Sequence, residues 1–222
     1  CIRDRSGIST FRDAGGLWDK YPVMQVASAE GYVRDPELVI DFYNERRKQL
    51  LDVEPNAGHT GLAELEKDFN VTVVTQNVDN LHERAGSTHV IHLHGELTKV
   101  CSSRDPYNPR YVRELKPEEY EVKMGDKAGD GSQLRPFIVW FGEAVPEIET
   151  AIGYVEKADI FVIIGTSMNV YPAAGLLNYV PRTAEVYLID PKPVDTHSMR
   201  QIHVIQKGAS EGVKELKTEI LH

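Results

Sequence analysis

The sequence predicts an α/β protein with a doubly wound, mostly parallel sheet, and three observations support that fold class. Short apolar runs rich in β-branched residues, at residues 71–74, 160–164 and 186–189, are typical of buried strands. Segments with helical spacing separate these runs, and such alternation favours parallel strands joined by helices. Four predicted strands also end in polar residues or glycine, namely Asn77, His94, Gly165 and Asp190. Because ligands bind outside the carboxyl ends of such sheets, we expect one pocket there.

The composition is that of a globular protein with an acidic balance. The chain has 222 residues and a net charge of −9 at pH 7 without a long basic run, so we expect no nucleic-acid partner. No apolar run reaches the roughly 20 residues of a membrane span, so no membrane association is expected, and no secretory signal opens the chain. The two cysteines, Cys1 and Cys101, are too few for a disulfide framework, which favours a cytoplasmic location.

Residues 35–50 are predicted to form a helix, because Asp35 can cap it and Pro36 suits its first position. Tyr43 and Arg46 are three residues apart and therefore share a face of this helix. Two interpretations of the pair remain open from the residues alone. The pair binds an acidic ligand group, or it lies on a solvated face beside further basic residues, which is the commoner arrangement.

A second predicted helix, residues 55–66, leads into the strand at residues 71–74. Polar residues crowd the end of that strand, and one interpretation is a turn in which Asn77 or Asp79 N-caps a short helix. The alternative is a ligand pocket. The pocket is favoured because the next predicted strand, residues 90–94, also ends in polar residues, His-Gly-Glu.

The stretch from residue 101 to residue 133 has little periodicity and predicts an inserted module or a long excursion. Its glycine-rich part, residues 125–131, has the composition of a mobile loop. A buried strand then returns at Arg135 and ends at Gly142 and Glu143. Two further helices are predicted, at residues 148–157 and at residues 212–220.

Two glycine-containing segments are further candidates for ligand contact. In the first, residues 6–18, Arg12 suits a phosphate group, although a plain surface loop is an equal alternative. In the second, Gly165, Thr166 and Ser167 offer backbone N–H groups and hydroxyls to a phosphate or ribose, with a plain β-turn as the alternative. Asp190 follows the next strand, as expected for an acceptor of ribose hydroxyls.

Six segments together resemble the sirtuin family of NAD-dependent protein-lysine deacylases, and the resemblance covers nearly the whole chain. The segments, in this order, are residues 7–13, 75–79, 94–95, 141–143, 165–167 and 170–173. The resemblance implies a Rossmann-like large domain and a smaller inserted domain, with a cleft between them for NAD and an acyl-lysine protein or peptide. The large domain would comprise residues 1–13, 56–98 and 135–222, and the small domain residues 14–55 and 99–134.

The resemblance also implies roles for individual residues. His94 would be the general base, and Asn77 would position the ribose or a water molecule. The residues implied to bind NAD are Phe11, Arg12, Gln76, Asn77, Val78, Asp79, Gly165, Thr166, Ser167, Ile189, Asp190, Pro191 and Ala209. Those implied to bind the acyl-lysine substrate are Tyr43, Arg46, Val139, Phe141, Gly142 and Glu143, and the substrate backbone would add as a strand between residues 142–143 and residues 169–171.

The resemblance changes the interpretation of Tyr43 and Arg46. The pair falls where family members that remove acidic acyl groups carry Tyr-x-x-Arg, which implies a preference for succinyl and malonyl groups. A carboxylate inside an apolar tunnel needs a charge-assisted partner, and an arginine with a phenol supplies one.

Two departures from the family pattern lead to further expectations. Family members begin with a strand and a Gly-Ala-Gly loop ahead of the segment at residues 6–9, where this sequence has residues 1–5. Many sirtuins also carry two cysteine pairs that bind zinc, whereas here Cys101 stands beside two serines. We therefore expect no zinc and an inserted module held by four residues: Tyr107, Tyr111, Leu115 and Tyr120.

Three functions remain open at this point. The favoured one is NAD-dependent deacylation, and the alternatives are transfer of ADP-ribose to a protein and a non-catalytic module that binds NAD or ADP-ribose. A Rossmann dehydrogenase is disfavoured because no intact G-x-G-x-x-G motif occurs.

Overall fold

A computed structural model describes residues 21–165, 173–193 and 201–221. Several predicted site residues lie outside these ranges, namely Phe11, Arg12, Thr166 and Ser167, as does the predicted strand partner at residues 169–171. No helix in the described ranges is long and apolar enough to cross a membrane.

The described residues form seven α-helices. They are α1 (Val23–Val26), α2 (Ala29–Arg34), α3 (Pro36–Leu51), α4 (Ala57–Leu65), α5 (Leu81–Arg84), α6 (Ile148–Val155) and α7 (Ala209–Ile220). The predicted start of α3 is confirmed, since Asp35 accepts a hydrogen bond from the backbone N–H of Leu38 at 3.0 Å and Pro36 is the first helical residue. Three 3₁₀ segments, Pro109–Tyr111, Pro117–Glu119 and Ala173–Tyr179, complete the helical elements.

Eight strands form three small sheets. The strands are β1 (Val73–Thr75), β2 (Val90–His92), β3 (Gly95–Ser102), β4 (Arg113–Glu114), β5 (Leu134–Ile138), β6 (Ile160–Ile164), β7 (Glu185–Ile189) and β8 (His203–Ile205). β1 pairs with β2, and β6, β7 and β8 pair in that order, all in parallel. The parallel α/β class predicted from the sequence is thereby confirmed.

The third sheet is antiparallel, with the order β4-β3-β5, and it corrects two predictions. The strand expected from Arg135 to Glu143 ends at Ile138 and pairs antiparallel with β3 instead of joining the parallel sheet. The segment after Gly95, which showed little periodicity, begins with the eight-residue strand β3. The sequence gives no local sign of β3, because the two strands that pair with it, β4 and β5, come later in the chain.

Helices cover both faces of the parallel strands, so both faces are buried. On one face, residues of β2, β6 and β7 pack against α6 and the segment Ala173–Tyr179. On the other face, β7 and β8 pack against α4 and α7. At Gly212 in α7 an added Cβ would lie 2.2 Å from Cγ2 of Ile189, so only glycine allows α7 this close to the sheet.

The inserted module has a small apolar core of its own, and the prediction for it was right only in part. Leu115 lies in this core, but the three tyrosines at positions 107, 111 and 120 are half-buried and do not belong to it. The buried side chains of the core are Ile40, Val100, Leu115, Val122, Ala128 and Leu134. Since Ile40 belongs to α3, the module and the long helix share this core.

The loop at residues 125–131 is tied down by hydrogen bonds, although its composition predicted a mobile loop. Asp130 accepts hydrogen bonds from the hydroxyls of Ser102 and Ser132, each at 2.7 Å. The backbone N–H of Gly125 donates to the side-chain oxygen of Gln133 at 2.7 Å. These bonds link the loop to the end of β3 and to the residues that precede β5.

Candidate active site

The carboxyl ends of β1 and β2 bring Asn77 and His94 to one edge of the sheet. Thr75 and His92 are paired in the parallel register, and each site residue lies two positions beyond its strand partner. The backbone N–H of Leu93 donates to the carbonyl of Thr75 at 2.9 Å, so the two strands stay paired up to this edge. The structure therefore places the predicted amide and imidazole on neighbouring strand ends, as sequence reasoning required.

The residues after β1 form a hydrogen-bonded turn, and the cap interpretation does not describe it. The backbone N–H of Asn77 donates to the hydroxyl of Thr75 at 3.0 Å, while Asn80 is the N-cap of α5 without a side-chain cap bond. Asp79 is 2 % exposed and accepts a long hydrogen bond of 3.4 Å from the N–H of Leu81. Asn77 thus lies in the turn ahead of α5 and is not its cap.

Gln76 offers an amide group for a ligand. Its Oε1 atom is buried and has no hydrogen-bond partner among the described residues. Burying an amide oxygen without a hydrogen-bond donor costs free energy. Such an oxygen is expected at a binding site where a ligand hydroxyl supplies the donor. Val78 differs from Gln76, because its side chain is 9 % exposed and packs in the core beneath α1, α2 and α3. Any ligand contact of Val78 would therefore be through its backbone.

His92 holds this turn in place, a role that sequence reasoning did not assign. Its ring is buried, with Nδ1 2.9 Å from the carbonyl oxygen of Asn77 and Nε2 2.7 Å from a carboxylate oxygen of Glu83. Both partners are acceptors, so the contacts favour the protonated ring, which donates from both nitrogens. Burial lowers the pKa of His92, but the hydrogen bonds to Glu83 and Asn77 more than offset that effect and raise the pKa above its ordinary value.

A pH-dependent contribution of His92 to stability follows from this raised pKa. The contribution is fully present below the unfolded-state pKa of about 6.5 and is lost as pH rises through the folded-state pKa. We expect the difference in unfolding free energy between the wild type and His92→Gln to be larger at pH 6 than at pH 8.5, measured by urea denaturation. His203→Gln, which replaces an exposed histidine, is the control. A difference that grows with pH would contradict the imidazolium assignment.

The backbone around His94 connects this edge to the segment after β5. The carbonyl of His94 accepts a hydrogen bond from the N–H of Val139 at 2.9 Å. The next residue, Gly95, has a φ of 80°, and an added Cβ would lie 2.2 Å from the carbonyl oxygen of Phe137. Only glycine fits there, which explains the His-Gly pair and fixes His94 beside Val139.

The ends of β6 and β7 contribute the remaining described candidates. Ile164 pairs with Ile189, so Gly165 and Asp190 follow at the same edge. Gly165 has a φ of 58° and donates its N–H to the carbonyl of Ile189 at 2.9 Å. Asp190 is half-buried and accepts a hydrogen bond from the N–H of Lys192 at 2.8 Å.

The side chain of Ile189 is fully buried in the core, so its predicted NAD contact would also be through the backbone. Two further candidates are also described: Pro191 is exposed, and Ala209 is the first residue of α7.

Tyr43 and Arg46 are buried, each with 4 % exposure, so the solvated-face interpretation is wrong. The phenol oxygen of Tyr43 accepts a hydrogen bond from the indole N–H of Trp140 at 3.3 Å. Burial raises the pKa of Tyr43 to about 12, against the lowering effects of the Trp140 bond and of nearby arginines that include Arg46. The phenol therefore keeps its proton at neutral pH and can donate it to an anion beside Arg46.

A buried ion pair positions residues 139–143, the segment predicted to bind the substrate. The guanidinium of Arg135 is 2.9 Å from a carboxylate oxygen of Glu143 and lies 3.7 Å from the ring centroid of Trp140. Glu143 also accepts hydrogen bonds from the N–H of Trp140 at 2.7 Å and from the hydroxyl of Tyr107 at 3.0 Å. Burial raises the pKa of Glu143, but the bond to Arg135 outweighs it and the pKa lies below its usual value. The Glu143 side chain thus has a structural role, since its carboxylate binds Arg135, Trp140 and Tyr107.

Two residues of this segment, Phe141 and Gly142, are exposed. Phe141 is 53 % exposed, and its N–H donates to the carbonyl of Ala27 at 2.9 Å. Gly142 is exposed and has a φ of 88°. Since the Glu143 N–H already donates to the carbonyl of Trp140 at 3.0 Å, a substrate strand would find its backbone partner at Gly142 rather than at the Glu143 N–H.

Parallel strands with helices on both faces and polar strand ends at one edge define the doubly wound α/β class of proteins, in which ligands bind at that edge. The sequence profile of the Sir2 family matches residues 2–172. This chain belongs to the Sir2 family, and the resemblance to sirtuins is confirmed.

Three similar proteins place the chain within that family. An NAD-dependent protein deacylase of Bacteroides thetaiotaomicron is 85 % identical over 212 residues, which are 96 % of this chain and 91 % of that protein. An NAD-dependent protein deacylase of Helicobacter pylori is 48 % identical over 220 residues, 99 % of this chain and 93 % of that protein. The solved structure of a Sir2 homologue in complex with ADP-ribose has a TM-score of 0.85 at 35 % identity, covering 99 % of this chain and 88 % of that one.

Proposed function

We propose that this chain is an NAD-dependent protein-lysine deacylase that removes acetyl groups and, preferentially, the acidic succinyl and malonyl groups, with nicotinamide and O-acyl-ADP-ribose as products. The names of its relatives support the deacylase activity and NAD as co-substrate. The observation that carries the acyl preference is the buried pair of Tyr43 and Arg46 on α3.

The pair suits a carboxylate better than a methyl group. A guanidinium and a protonated phenol one helical turn apart supply charge-assisted hydrogen bonds to both oxygens of a carboxylate. Both side chains are removed from water, so the charge of Arg46 is screened less than on a surface. Trp140 holds the phenol of Tyr43, and the same segment continues to Val139 and Phe141, which would wall the acyl-lysine tunnel.

The residues at the sheet edge suit a proton transfer at the ribose of NAD. NAD would supply the sugar carbon that the acyl oxygen attacks as nicotinamide leaves. His94 would take a proton from a ribose hydroxyl, because a neutral imidazole is a suitable general base. Asn77 would orient the ribose or a water molecule, Gln76 would meet a ribose hydroxyl with its buried Oε1 atom, and Asp79 would accept from the nicotinamide amide.

The proposal is tested by an NAD-dependent assay on acetyl-, succinyl- and malonyl-lysine peptides of one sequence. Release of nicotinamide together with the free lysine peptide supports deacylation. A peptide that gains the mass of ADP-ribose would show transfer of ADP-ribose instead, and binding of NAD without nicotinamide release would show a non-catalytic module. Faster turnover of the acetyl peptide than of both acidic peptides would contradict the acyl preference.

The inserted module is proposed to fold without zinc. Among the described residues, no group of three or more His, Cys, Asp or Glu side chains is arranged to hold a metal. Cys101 is fully buried, and burial raises the pKa of its thiol to about 12, which disfavours the thiolate that zinc requires. The hydroxyl of Ser102 instead binds Asp130, Ser132 and the N–H groups of residues 104 and 105.

A metal-removal experiment tests this proposal. We expect that EDTA leaves the melting temperature unchanged, because hydrogen bonds rather than a metal hold the module, and that elemental analysis finds less than stoichiometric zinc. Asp130→Ala should lower the melting temperature, since it removes the acceptor of Ser102 and Ser132, whereas Asp126→Ala, which removes a single bond to an exposed N–H, should lower it less. One zinc per chain, or melting that EDTA lowers, would refute the proposal.

A further inference from the structure

A pocket of about 340 Å³ lies where α3, α5 and the inserted module meet. Its lining comes from the last turns of α3, from Asn80 and Arg84 at the two ends of α5, from Thr98 of β3 and from residues 114–117. None of the described residues assigned above to NAD or to the acyl-lysine group lines it. The volume is at the lower end of the range of about 300–1,000 Å³ that is typical of ligand sites, so the pocket suits a small molecule.

Basic side chains outnumber acidic ones around this pocket. Among the described residues, Arg47, Arg84 and Lys116 line it, and Glu114 is the one carboxylate in the lining. The chain as a whole carries a net charge of −9, so this local excess of positive charge is opposite in sign to the overall balance. A concave site lined by one sign of charge concentrates ions of the other sign, and here those ions are anions.

Arg47 is a buried cation whose hydrogen-bond partners are all neutral. It is 3 % exposed, and its guanidinium donates to the carbonyls of Tyr120 at 2.6 Å and Leu97 at 3.5 Å and to Oδ1 of Asn44 at 2.7 Å. None of the ion pairs among the described residues includes Arg47. Burial lowers the pKa of Arg47 to about 10, so the side chain stays charged at neutral pH. Because a buried charge without a counter-charge is costly, an anion in the adjacent pocket would be stabilising.

Arg84 can exchange its present partner for a ligand at little cost. Its guanidinium lies 3.0 Å from a carboxylate oxygen of Glu54, which is 81 % exposed. An ion pair with so exposed a partner contributes little, because water and salt screen it. The hydrogen bond from Arg84 to the carbonyl of Leu50, at 3.2 Å, keeps the side chain beside the pocket. Lys116 is exposed and forms no ion pair in the described part of the chain, so it is also available to an anion.

The rest of the lining is largely apolar. Leu50 and Leu115 are buried, and Leu51, Pro117 and Tyr120 add further apolar surface. An inorganic anion would gain nothing from these side chains, whereas a carboxylate attached to a hydrocarbon body would bury that body against them. The combination of apolar walls and a few charged groups is typical of sites for small organic molecules.

We infer that this pocket is a second ligand site, which binds a small organic acid with its carboxylate towards Arg84, Lys116 and the buried charge of Arg47 and its hydrocarbon body against Leu50 and Leu115. The carboxylate replaces Glu54 at Arg84 and supplies the counter-charge that Arg47 lacks among the described residues. The inference concerns a site apart from the candidate active site, and it does not depend on the proposed deacylase activity.

Titration with hexanoate, followed by the amide NMR signals of the wild-type protein without NAD or acyl-lysine, tests the inference. We expect saturable shifts at the amides of Leu51, Arg84, Thr98 and Lys116, which lie around the pocket. Hexanamide, which has the same hydrocarbon body without the charge, should bind more weakly by about tenfold, the worth of one hydrogen bond to a charged group. Inorganic phosphate, which has charge but no hydrocarbon body, should also bind more weakly than hexanoate.

Charge variants with opposite expected effects make the result specific. Arg84→Met should raise the Kd for hexanoate by about tenfold, because it removes a charged donor from the lining. Glu114→Gln should lower the Kd, since it removes the one carboxylate among the described lining residues. Arg113→Met is the matched control, because this exposed arginine precedes Glu114 on β4 but does not line the pocket. It should leave the Kd within about twofold.

Four results would overturn the inference. Equal binding of hexanamide would show apolar contact without recognition of the charge, and equal binding of phosphate would show a general anion site. Shifts confined to Val139 and Phe141 would place the acid in the proposed acyl-lysine tunnel instead. Unchanged signals around the pocket at millimolar hexanoate would show that it is empty of function for such acids. Because no readout uses the deacylase assay, failure here and failure of the proposed activity are separate results.

Discussion

His94→Tyr is expected to lower the turnover number by about 10²- to 10⁴-fold on acetyl-, succinyl- and malonyl-lysine peptides alike, the range found when a general base is removed. The reason is that a phenol with a pKa of about 10 cannot take a proton near neutral pH, whereas an imidazole can. The backbone bond from Val139 to the carbonyl of residue 94 is kept, so the fold at this edge is retained. Nicotinamide release under saturating NAD and peptide measures the effect.

His203→Tyr is the matched control, because this histidine lies on β8, is exposed and stacks on Tyr187. It should leave turnover within about twofold of the wild type, as surface substitutions away from a site do. A His94→Tyr protein that melts like the wild type but retains wild-type turnover would remove His94 from the proposed mechanism. Unequal losses on the three peptides would instead assign His94 to acyl recognition.

Arg46→Met is expected to reduce kcat/KM for succinyl- and malonyl-lysine peptides by about 10²-fold or more, and to change deacetylation by less than about threefold. Removing one partner of a buried charge pair costs about 2–5 kcal/mol, and every 1.4 kcal/mol is a factor of ten. The acetyl group carries no charge and gains nothing from the guanidinium. Initial rates on peptides of one sequence measure both quantities.

Two further variants make the Arg46 result specific. Lys48→Met removes the same charge from an exposed position of the same helix, and it should leave both activities unchanged. Tyr43→Phe removes the phenol proton but keeps the ring packed on Phe42, so it should lower desuccinylation by about tenfold, the worth of one charged hydrogen bond. Equal losses on acetyl and succinyl peptides in Arg46→Met would defeat the assignment of the pair.

Strands and helices whose signal is local were predictable from the sequence. The strand at residues 160–164 and the capped start of α3 agree with the structure, because a buried apolar run and an Asp-Pro cap act within a few residues. β3 and β5 were not predicted correctly, since the antiparallel pairing that defines them joins residues such as Cys101 and Arg135, which lie 34 positions apart. The division into domains at the boundaries given above stays a prediction.

The candidate site was predictable only where residue type and strand position coincide. Asn77 and His94 were found because both follow an apolar run and the two strands are consecutive. His92 was given no role from the sequence, because no local pattern shows that its two nitrogens meet a carbonyl and a carboxylate. Glu143 was predicted from its motif, but the sequence did not show that it forms an ion pair with Arg135.

By itself, the sequence determined the parallel α/β class, the polar strand ends and the membership of the Sir2 family, because periodicity and motif order are properties of the chain. Only the tertiary structure decided that Tyr43 and Arg46 are buried and that both ring nitrogens of His92 are hydrogen-bonded. The physical reason is that burial and hydrogen bonding depend on contacts between distant segments. Tyr43 and Trp140, which share a hydrogen bond, are 97 residues apart.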